Sequence, residues 1–461
     1  MRTLLGLLLV GTLSYAVLHL LLPRLLSRLG RGLHNPMLAL RWRQFQNSVL
    51  GYGAFIVLTT AFFASLFLEL YVNDKPLYIR YQDHHRFPAV AEWVDTVLPF
   101  TDPPQPLLAW DFGLEAPGVL DGRSYARWVS EPSALQEEID RLEKERVEDE
   151  ERFRATLREE AAEKGQKHDP TAELPEWKID QYEQTANYVQ ELRGLQEQLK
   201  AGAATVVMPL YPYSPTEPLL ELPGTPPHRS FQPGLPLLGT DFEGKDVLSQ
   251  LLYGFRISLA FALGVAAIGY AIGVMIGGLM GYFGGWLDIL TQRVIEVWSS
   301  IPFLYTMMII AAAVAPSFWV LALMLVVLQA WIGITYTVRG EFYRERSRDY
   351  VQAARALGLG HLRIMTRHIL PNSLVPVVTF LPFSIVGNMT VLVSLDYLGF
   401  GLPPGTPSWG ALLHQGTENI VNHPQLVFIP VIAFAGTLLC VVMIGEAVRE
   451  AFDPKKHARL R

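Results

Sequence analysis

The chain has 461 residues, of which 50% are hydrophobic and 18% charged, well below the roughly 25% charged content of soluble globular proteins. A formal net charge of −6 offers nothing to a polyanion, so nucleic acid is excluded as a partner. The single cysteine, Cys440, rules out an intrachain disulfide. It stands in an apolar run and reads as a small buried hydrophobe, and no cysteine cluster points to zinc or iron–sulfur.

A helix needs about 20 mostly apolar residues to cross a bilayer. Inside lipid the backbone must satisfy its own hydrogen bonds, so long apolar runs read as helices. Six such runs lie at 49–71, 257–281, 289–315, 317–338, 373–395 and 425–446, after an earlier candidate at 4–22. They predict an all-α polytopic membrane protein with a core of six transmembrane helices. The 4–22 run reads either as an additional N-terminal hydrophobic helix or as a signal peptide. Pro23 and Arg24 follow it instead of a small-residue cleavage site, and charge placement favours the extra helix.

Arginine and lysine cluster in three places: Arg24, Arg28, Arg31, Arg41 and Arg43; Arg339, Arg344, Arg346, Arg348, Arg355, Arg363 and Arg367; and Arg449, Lys455, Lys456, Arg459 and Arg461. By the positive-inside rule these belong in the cytoplasm. The stretch 396–424 contains neither residue type and belongs outside. The expected organisation is therefore a hydrophobic helix and basic segment over 1–48, the first core helix at 49–71, an external region over 72–256, a five-helix core over 257–450 with a cytoplasmic loop at 339–371, and a cytoplasmic tail at 451–461.

Charge is uneven in the external region. Residues 131–200 hold 20 of the 44 acidic and 11 of the 38 basic residues, so this segment carries −9 and the remainder +3. Apolar residues recur there at three- and four-residue spacing, at Leu135, Ile139, Leu142, Phe153 and Leu157 and again at Tyr182, Ala186, Val189, Leu192, Leu195 and Leu199. Two stripes split by His168-Asp169-Pro170 and Pro175 suggest an antiparallel helical hairpin, with a solvated charged spacer as the alternative. The proline-rich stretch 209–236 should be extended and irregular.

Within 257–281, Gly269, Gly273, Gly277 and Gly281 fall four apart on one helix face and would let another backbone approach closely. Gly239-Thr-Asp-Phe-Glu-Gly244-Lys245-Asp246 nearly matches a phosphate loop. Asp246 occupies the position that needs a magnesium-binding hydroxyl, and no buried strand precedes it, so nucleotide binding is rejected. His84-His85, His414 and His423 read as surface histidines without acidic partners at ligand spacing. No catalytic, cofactor-binding or metal-binding constellation stands out.

The cytoplasmic loop carries the most informative pattern. Asp349-Tyr-Val-Gln352-Ala353-Ala354-Arg355-Ala-Leu-Gly358-Leu-Gly360 predicts a short helix ended by Gly358 or Gly360 in a left-handed conformation. A second helix over 361–370, holding His368 and Leu370, should end before Pro371. A short basic helix with small alanines on one face suits a groove on a soluble partner; the alternative is an amphipathic loop on the membrane surface.

This loop resembles that of binding-protein-dependent ABC importer permeases, which begins Glu-Ala-Ala, has glycine four positions after the second alanine and ends Ile-X-Leu-Pro. Ala353, Ala354, Gly358, Leu370 and Pro371 match; Gln352 replaces the glutamate and His368 the isoleucine. Gly239-Thr-Asp-Phe-Glu-Gly-Lys-Asp, Gly281-Tyr-Phe-Gly-Gly-Trp-Leu-Asp288, Trp298-Ser-Ser-Ile-Pro302, Leu395-Asp-Tyr-Leu-Gly-Phe-Gly401 and Gly445-Glu-Ala-Val-Arg-Glu-Ala-Phe-Asp-Pro454 resemble the dipeptide and oligopeptide branch. Asn73-Asp-Lys-Pro-Leu resembles its Yej type, in the E subunit. The resemblance covers 40–75 and 235–456, leaving 131–200 as an apparent insertion. It implies a permease of the bacterial inner membrane that imports oligopeptides or peptide-like compounds such as microcin C by alternating access. It also implies a second homologous permease subunit, cytoplasmic ABC ATPase subunits docked on 350–371, and a periplasmic peptide-binding protein. An ion-driven secondary transporter would need buried ionisable residues; Arg293 and Glu296 are the obvious pair in a span. A membrane-anchored structural or signalling protein would not need six helices packed through glycine.

Overall fold

The computed structural model describes residues 2–21, 36–82, 84–97, 121–163, 174–219, 222–232, 234–314 and 316–452. The arginines of 24–35, His168-Asp169-Pro170, Ala315 and the tail beyond 452 lie outside them. The chain forms two compact units, Met1–Leu66 with Ser214–Arg461, and Phe67–Tyr213.

In the first unit, Val247–Phe283, His361–Tyr397 and Gln425–Phe452 are each long and apolar enough to cross a membrane. Three bent pairs bring the number to as many as six if each pair is one span: Leu40–Asn47 with Val49–Ser65 at 95°, Gly285–Ser299 with Phe303–Ala313 at 69°, and Phe318–Ala330 with Ile332–Glu345 at 44°. The proposed first core helix at 49–71 ends at Ser65, followed by a turn and the short Leu68–Tyr71 helix. Val247–Phe283 begins ten residues before the apolar run does, because Asp246 caps it by accepting from Ser249 N at 2.7 Å. Arg256, which interrupts hydropathy in the first turns, donates to Ser65 O at 3.2 Å.

One sequence expectation fails here. The helix from His361 does not stop before Pro371. A π-helical turn, Ile364–Ile369, is followed by the helix Leu370–Tyr397, which carries Pro371 in its first turn. The proline cannot donate into the ladder of a continuing helix, and the π-turn just before it, with Leu370 N donating to Met365 O, is the local widening at which the course carries on past it.

The glycine row makes a close helix contact in this unit. A Cβ on Gly269 would stand 2.9 Å from Ala330 Cβ, on Gly273 2.7 Å from Trp331 O, on Gly277 3.1 Å from Arg339 N and on Gly281 2.6 Å from Phe342 Cβ. The row thus runs along Val326–Ala330 and Ile332–Glu345 over four turns. Residues 2–21 form a helix beside Val49–Ser65, with His19 and Thr59 within 3.1 Å.

The second unit contains a three-stranded sheet that sequence reading missed. Tyr78–Tyr81 is the central strand, antiparallel to His84–Arg86 and to Ala204–Val207. His84 and His85 thus lie on an exposed edge strand, with His85 Nδ1 2.8 Å from the Tyr78 hydroxyl. The charged segment forms the helices Pro132–Glu163 and Glu176–Lys200. Their contacts run in opposite directions: Gln196 Nε2 donates to Pro132 O, Arg193 pairs with Glu143 and Lys178 with Asp149. Ile79, Tyr125, Leu135, Ile139, Leu192 and Leu195 share one core. The two stripes therefore bury themselves partly on each other and partly on the sheet.

Two outcomes follow from this packing. Gly277→Val should cost roughly 1–3 kcal/mol through overpacking, whereas Gly264→Val, where nothing lies within 4 Å, should be tolerated. Yield and monodispersity after detergent extraction check the contrast. In the hairpin, the Lys178 hydrogen bond holds the Asp149 carboxyl below its ordinary range. A lowered acid pKa gives stability that is present above the unfolded value and lost as pH falls through the folded one. Asp149→Asn should remove that acid-side loss, read as the protection factors of Glu176–Lys200 amides against pH.

Candidate coupling face and transport cavity

Asp349–Ala356 is the short helix expected in the loop. Its two faces are unlike. Val351 and Ala354 are buried in a cluster with Tyr282, Phe342, Ile364 and Ile369, drawn from three spans and their connections. Gln352, Ala353, Arg355 and Gly358 face outward. Gln352 Nε2 donates to Arg346 O at 3.2 Å, and the Arg355 guanidinium lies 5.1 Å from the Tyr282 ring centroid. Ala354, selected from sequence beside Ala353, is thus turned into the chain's own core. His368, Leu370 and Pro371 belong to the π-turn and the start of the next span rather than to this face.

Gly358 ends the helix. Its φ is +76°, a region that costs other residues about 1–2 kcal/mol. Gly358 N donates to Arg355 O at 2.9 Å and Leu359 N to Ala354 O at 3.2 Å, the paired bonds of a Schellman cap. Gly360 has no such conformation: it is extended and caps the next helix. The cap leaves Leu357 and Leu362 81% and 75% exposed. Two exposed leucines beside the small-residue helix form an apolar face that periodicity did not reveal.

Polar bonds lock this helix to its neighbours. The Tyr282 hydroxyl lies 2.8 Å from His361 Nδ1, and Arg346 Nη1 donates to Tyr282 O at 3.3 Å. The Tyr350 hydroxyl donates to Glu345 Oε2 at 2.7 Å and Asn372 Nδ2 donates to the Tyr350 oxygen at 3.3 Å. Beside them Arg339 makes a two-pronged pair with the buried Asp288, Nε to Oδ1 at 2.6 Å and Nη2 to Oδ2 at 2.7 Å. Arg293 and Glu296, the pair visible in sequence, form an exposed contact one turn apart at 2.6 Å.

At the opposite end of Val247–Phe283, Gly239–Asp246 folds into a capping turn. Asp241 accepts from Glu243 N, Lys245 N and Gln250 Nε2 at 2.8–2.9 Å. Burial pushes its carboxyl up against these bonds. The departure from a phosphate loop at Asp246 is thus the residue that starts the helix. Asp396 plays a related part at the end of Leu370–Tyr397, accepting from Leu402 N at 2.7 Å and from the Ser408 hydroxyl. His414 faces Glu418 at 3.8 Å, an acidic neighbour the sequence reading had discounted. Among the described residues no group of three His, Cys, Asp or Glu side chains could hold a metal.

A cavity of about 800 Å³ opens between Gly285–Ala313, Phe318–Glu345 and His361–Tyr397. It is bordered by the break at Ser299–Phe303 and by the π-turn Val326–Ala330. The Val327 carbonyl accepts both the Trp298 and the Trp331 indole N–H, at 3.2 and 3.0 Å.

Residues 273–458 match the model of the binding-protein-dependent transport system inner membrane component family. The dipeptide transport system permease DppC of Haemophilus influenzae is 33% identical over 248 residues, 53% of this chain and 83% of that one. The chain belongs to this permease family. The peptidoglycan transport system permease YejE of Agrobacterium fabrum is 49% identical over 222 residues, covering 48% of this chain and 58% of its own length. The inner membrane ABC transporter permease YejE of Escherichia coli is 47% identical over 219 residues, covering 48% and 64%. The chain therefore matches about three-fifths of the length of these two relatives.

The family is one of inner-membrane transport permeases, and the apolar helices here make this member a multi-pass membrane protein. Sequence reading missed the Asp288–Arg339 pair, although both residues lay in view, because they are 51 positions apart and neither sits in a periodic pattern. Arg339→Lys keeps the charge but loses the fork. It should cost about 1–3 kcal/mol, read as a lower melting temperature in detergent, and Asp288→Asn with Arg339→Lys should cost less than the two single effects added together.

Proposed function

We propose that the chain is the membrane-spanning permease subunit of an ABC importer that moves oligopeptides or peptide-like compounds inward, energised by separate ATPase subunits. A homologous second permease would complete the pathway, and a periplasmic binding protein would deliver the cargo. Peptidoglycan, oligopeptide and dipeptide systems among the relatives share a cargo with an amide backbone, which supports this substrate class. The chain itself breaks no bond.

The observation that carries the reading is the two-faced loop helix. Val351 and Ala354 weld it to the spans, while Ala353, Leu357 and Leu362 stay uncovered. A partner gripping the outer face would therefore move the spans with it. On ATP binding the closing ATPase dimer displaces the Asp349–Ala356 helix as a rigid lever. The displacement passes through the Tyr350–Glu345 bond into Ile332–Glu345 and through the Schellman cap into His361–Tyr397, and the cavity changes the side on which it opens.

The test is peptide-stimulated ATP hydrolysis in the reconstituted transporter. Leu357→Asp should abolish it by at least tenfold while membrane insertion and solubility persist, because the substitution lies on the uncovered face. Gly358→Val should act likewise by misdirecting the lever. Normal coupling in both variants, or labelling of residues 349–371 from the periplasmic side, would overturn the proposal. Co-purification of stoichiometric ATPase subunits with the tagged chain is the expected companion result.

A further inference from the structure

Irregular backbone at membrane depth is tolerated only where protein buries it or where it lines a wet cavity. Here two such interruptions meet, the 69° break before Phe303 and the π-turn Val326–Ala330, and both border the 800 Å³ cavity. The two indole donors on Val327 O hold the break and the turn together. Gln329 lies within the turn and lines the cavity. It is eleven residues from the Phe318 end of a 28-residue helical stretch, about 17 Å along the axis at 1.5 Å per residue and so near the bilayer midplane.

The Gln329 side chain is exposed and makes no hydrogen bond among the described residues. An amide at that depth is unfavourable unless something accepts and donates to it. The other polar groups on the wall differ. Ser299, Ser300 and Thr337 donate their hydroxyl protons to Glu296 O, Val297 O and Gly333 O. Ser384 bonds to the Tyr270 hydroxyl, and Asn388 Nδ2 donates to Ala262 O. Each of these groups therefore has at least one partner within the chain, with hydroxyl lone pairs to spare. No Asp, Glu, Lys, Arg or His lines the cavity among the described residues.

We infer that Gln329 is a specificity-determining residue that reads the main-chain amide of the cargo, its Oε1 accepting a peptide N–H and its Nε2 donating to a peptide C=O, inside a cavity that is indifferent to cargo charge. This deepens the proposed function and rests on it. A neutral wall can neither attract nor repel a charged side chain strongly. A primary amide is self-complementary to a peptide bond, so passage would select for backbone and not for sequence. The satisfied hydroxyls around it act as weak acceptors along the same wall.

The experiment uses the full transporter in proteoliposomes. Uptake is measured for a neutral, a cationic and an anionic peptide of equal length, and for a depsipeptide in which one internal N–H is replaced by an ester oxygen. The wild-type transporter should take up the three peptides with KM values within a few-fold of each other and the depsipeptide with KM raised about fivefold, the equivalent of one neutral hydrogen bond. Gln329→Leu should raise KM for the peptides about fivefold and erase the preference for amide over ester. Gln329→Glu should create a preference for the cationic peptide. Retained amide preference in Gln329→Leu, strong charge discrimination by the wild-type cavity, or loss of the partner permease from purified Gln329→Leu would overturn the inference, the last because the amide then belongs to a subunit contact. If the wild-type transporter moves none of the peptides, the peptide-import reading itself fails and takes the inference with it.

Discussion

Inside a bilayer no water is available to hydrogen-bond a peptide group, and the transport unit is organised around that constraint. Its spans are helical almost throughout. Where they break, freed carbonyls are taken up by named partners: two indoles on Val327 O and Arg256 on Ser65 O. The same constraint makes side-chain burial a weak force between spans, since lipid is as apolar as leucine. Close packing has to replace it. The glycine row achieves this by bringing the Val247–Phe283 backbone against Ala330, Trp331 and Arg339.

That close approach fixes more than one helix pair. Ile332–Glu345 is held against the glycines on one side and ends in Glu345, whose carboxylate accepts from Tyr350. Arg339 on the same helix grips Asp288 at the start of the preceding bent span. The loop helix is seated on these ends through Val351 and Ala354. A displacement at the loop therefore reaches several spans through bonds of fixed length rather than through flexible connections.

Much of this was legible in sequence because it follows from local rules. Apolar run length located the spans, three- and four-residue spacing located both hairpin stripes, and an alanine-rich helix meeting glycine narrowed the cap to Gly358 or Gly360. What escaped depends on partners distant in the chain. The sheet is built from strands of three and four residues, with Ala204–Val207 more than a hundred positions from Tyr78–Tyr81, and segments so short carry little periodicity. The start of Val247–Phe283 is masked by Ser249, Gln250 and Arg256, which read as polar until Asp246, Asp241 and Ser65 are seen to satisfy them. Pro371 reads as a stop because a sequence does not display the π-turn through which the helix runs on past it. The orientation of Ala353 and Ala354 likewise depends on which face the spans cover.

The base of the second unit has a structural consequence of its own. Its chain enters at Val72 and leaves at Tyr211, and these two residues are bridged, with Asn73 N donating to Tyr211 O at 3.1 Å. Just beyond, Tyr78–Tyr81 and Ala204–Val207 zip together. Everything between is a closed loop hung from a stitched neck. Such a neck lets evolution lengthen, trim or exchange the part between as a cassette, because each new version brings the two ends together at the same bridge.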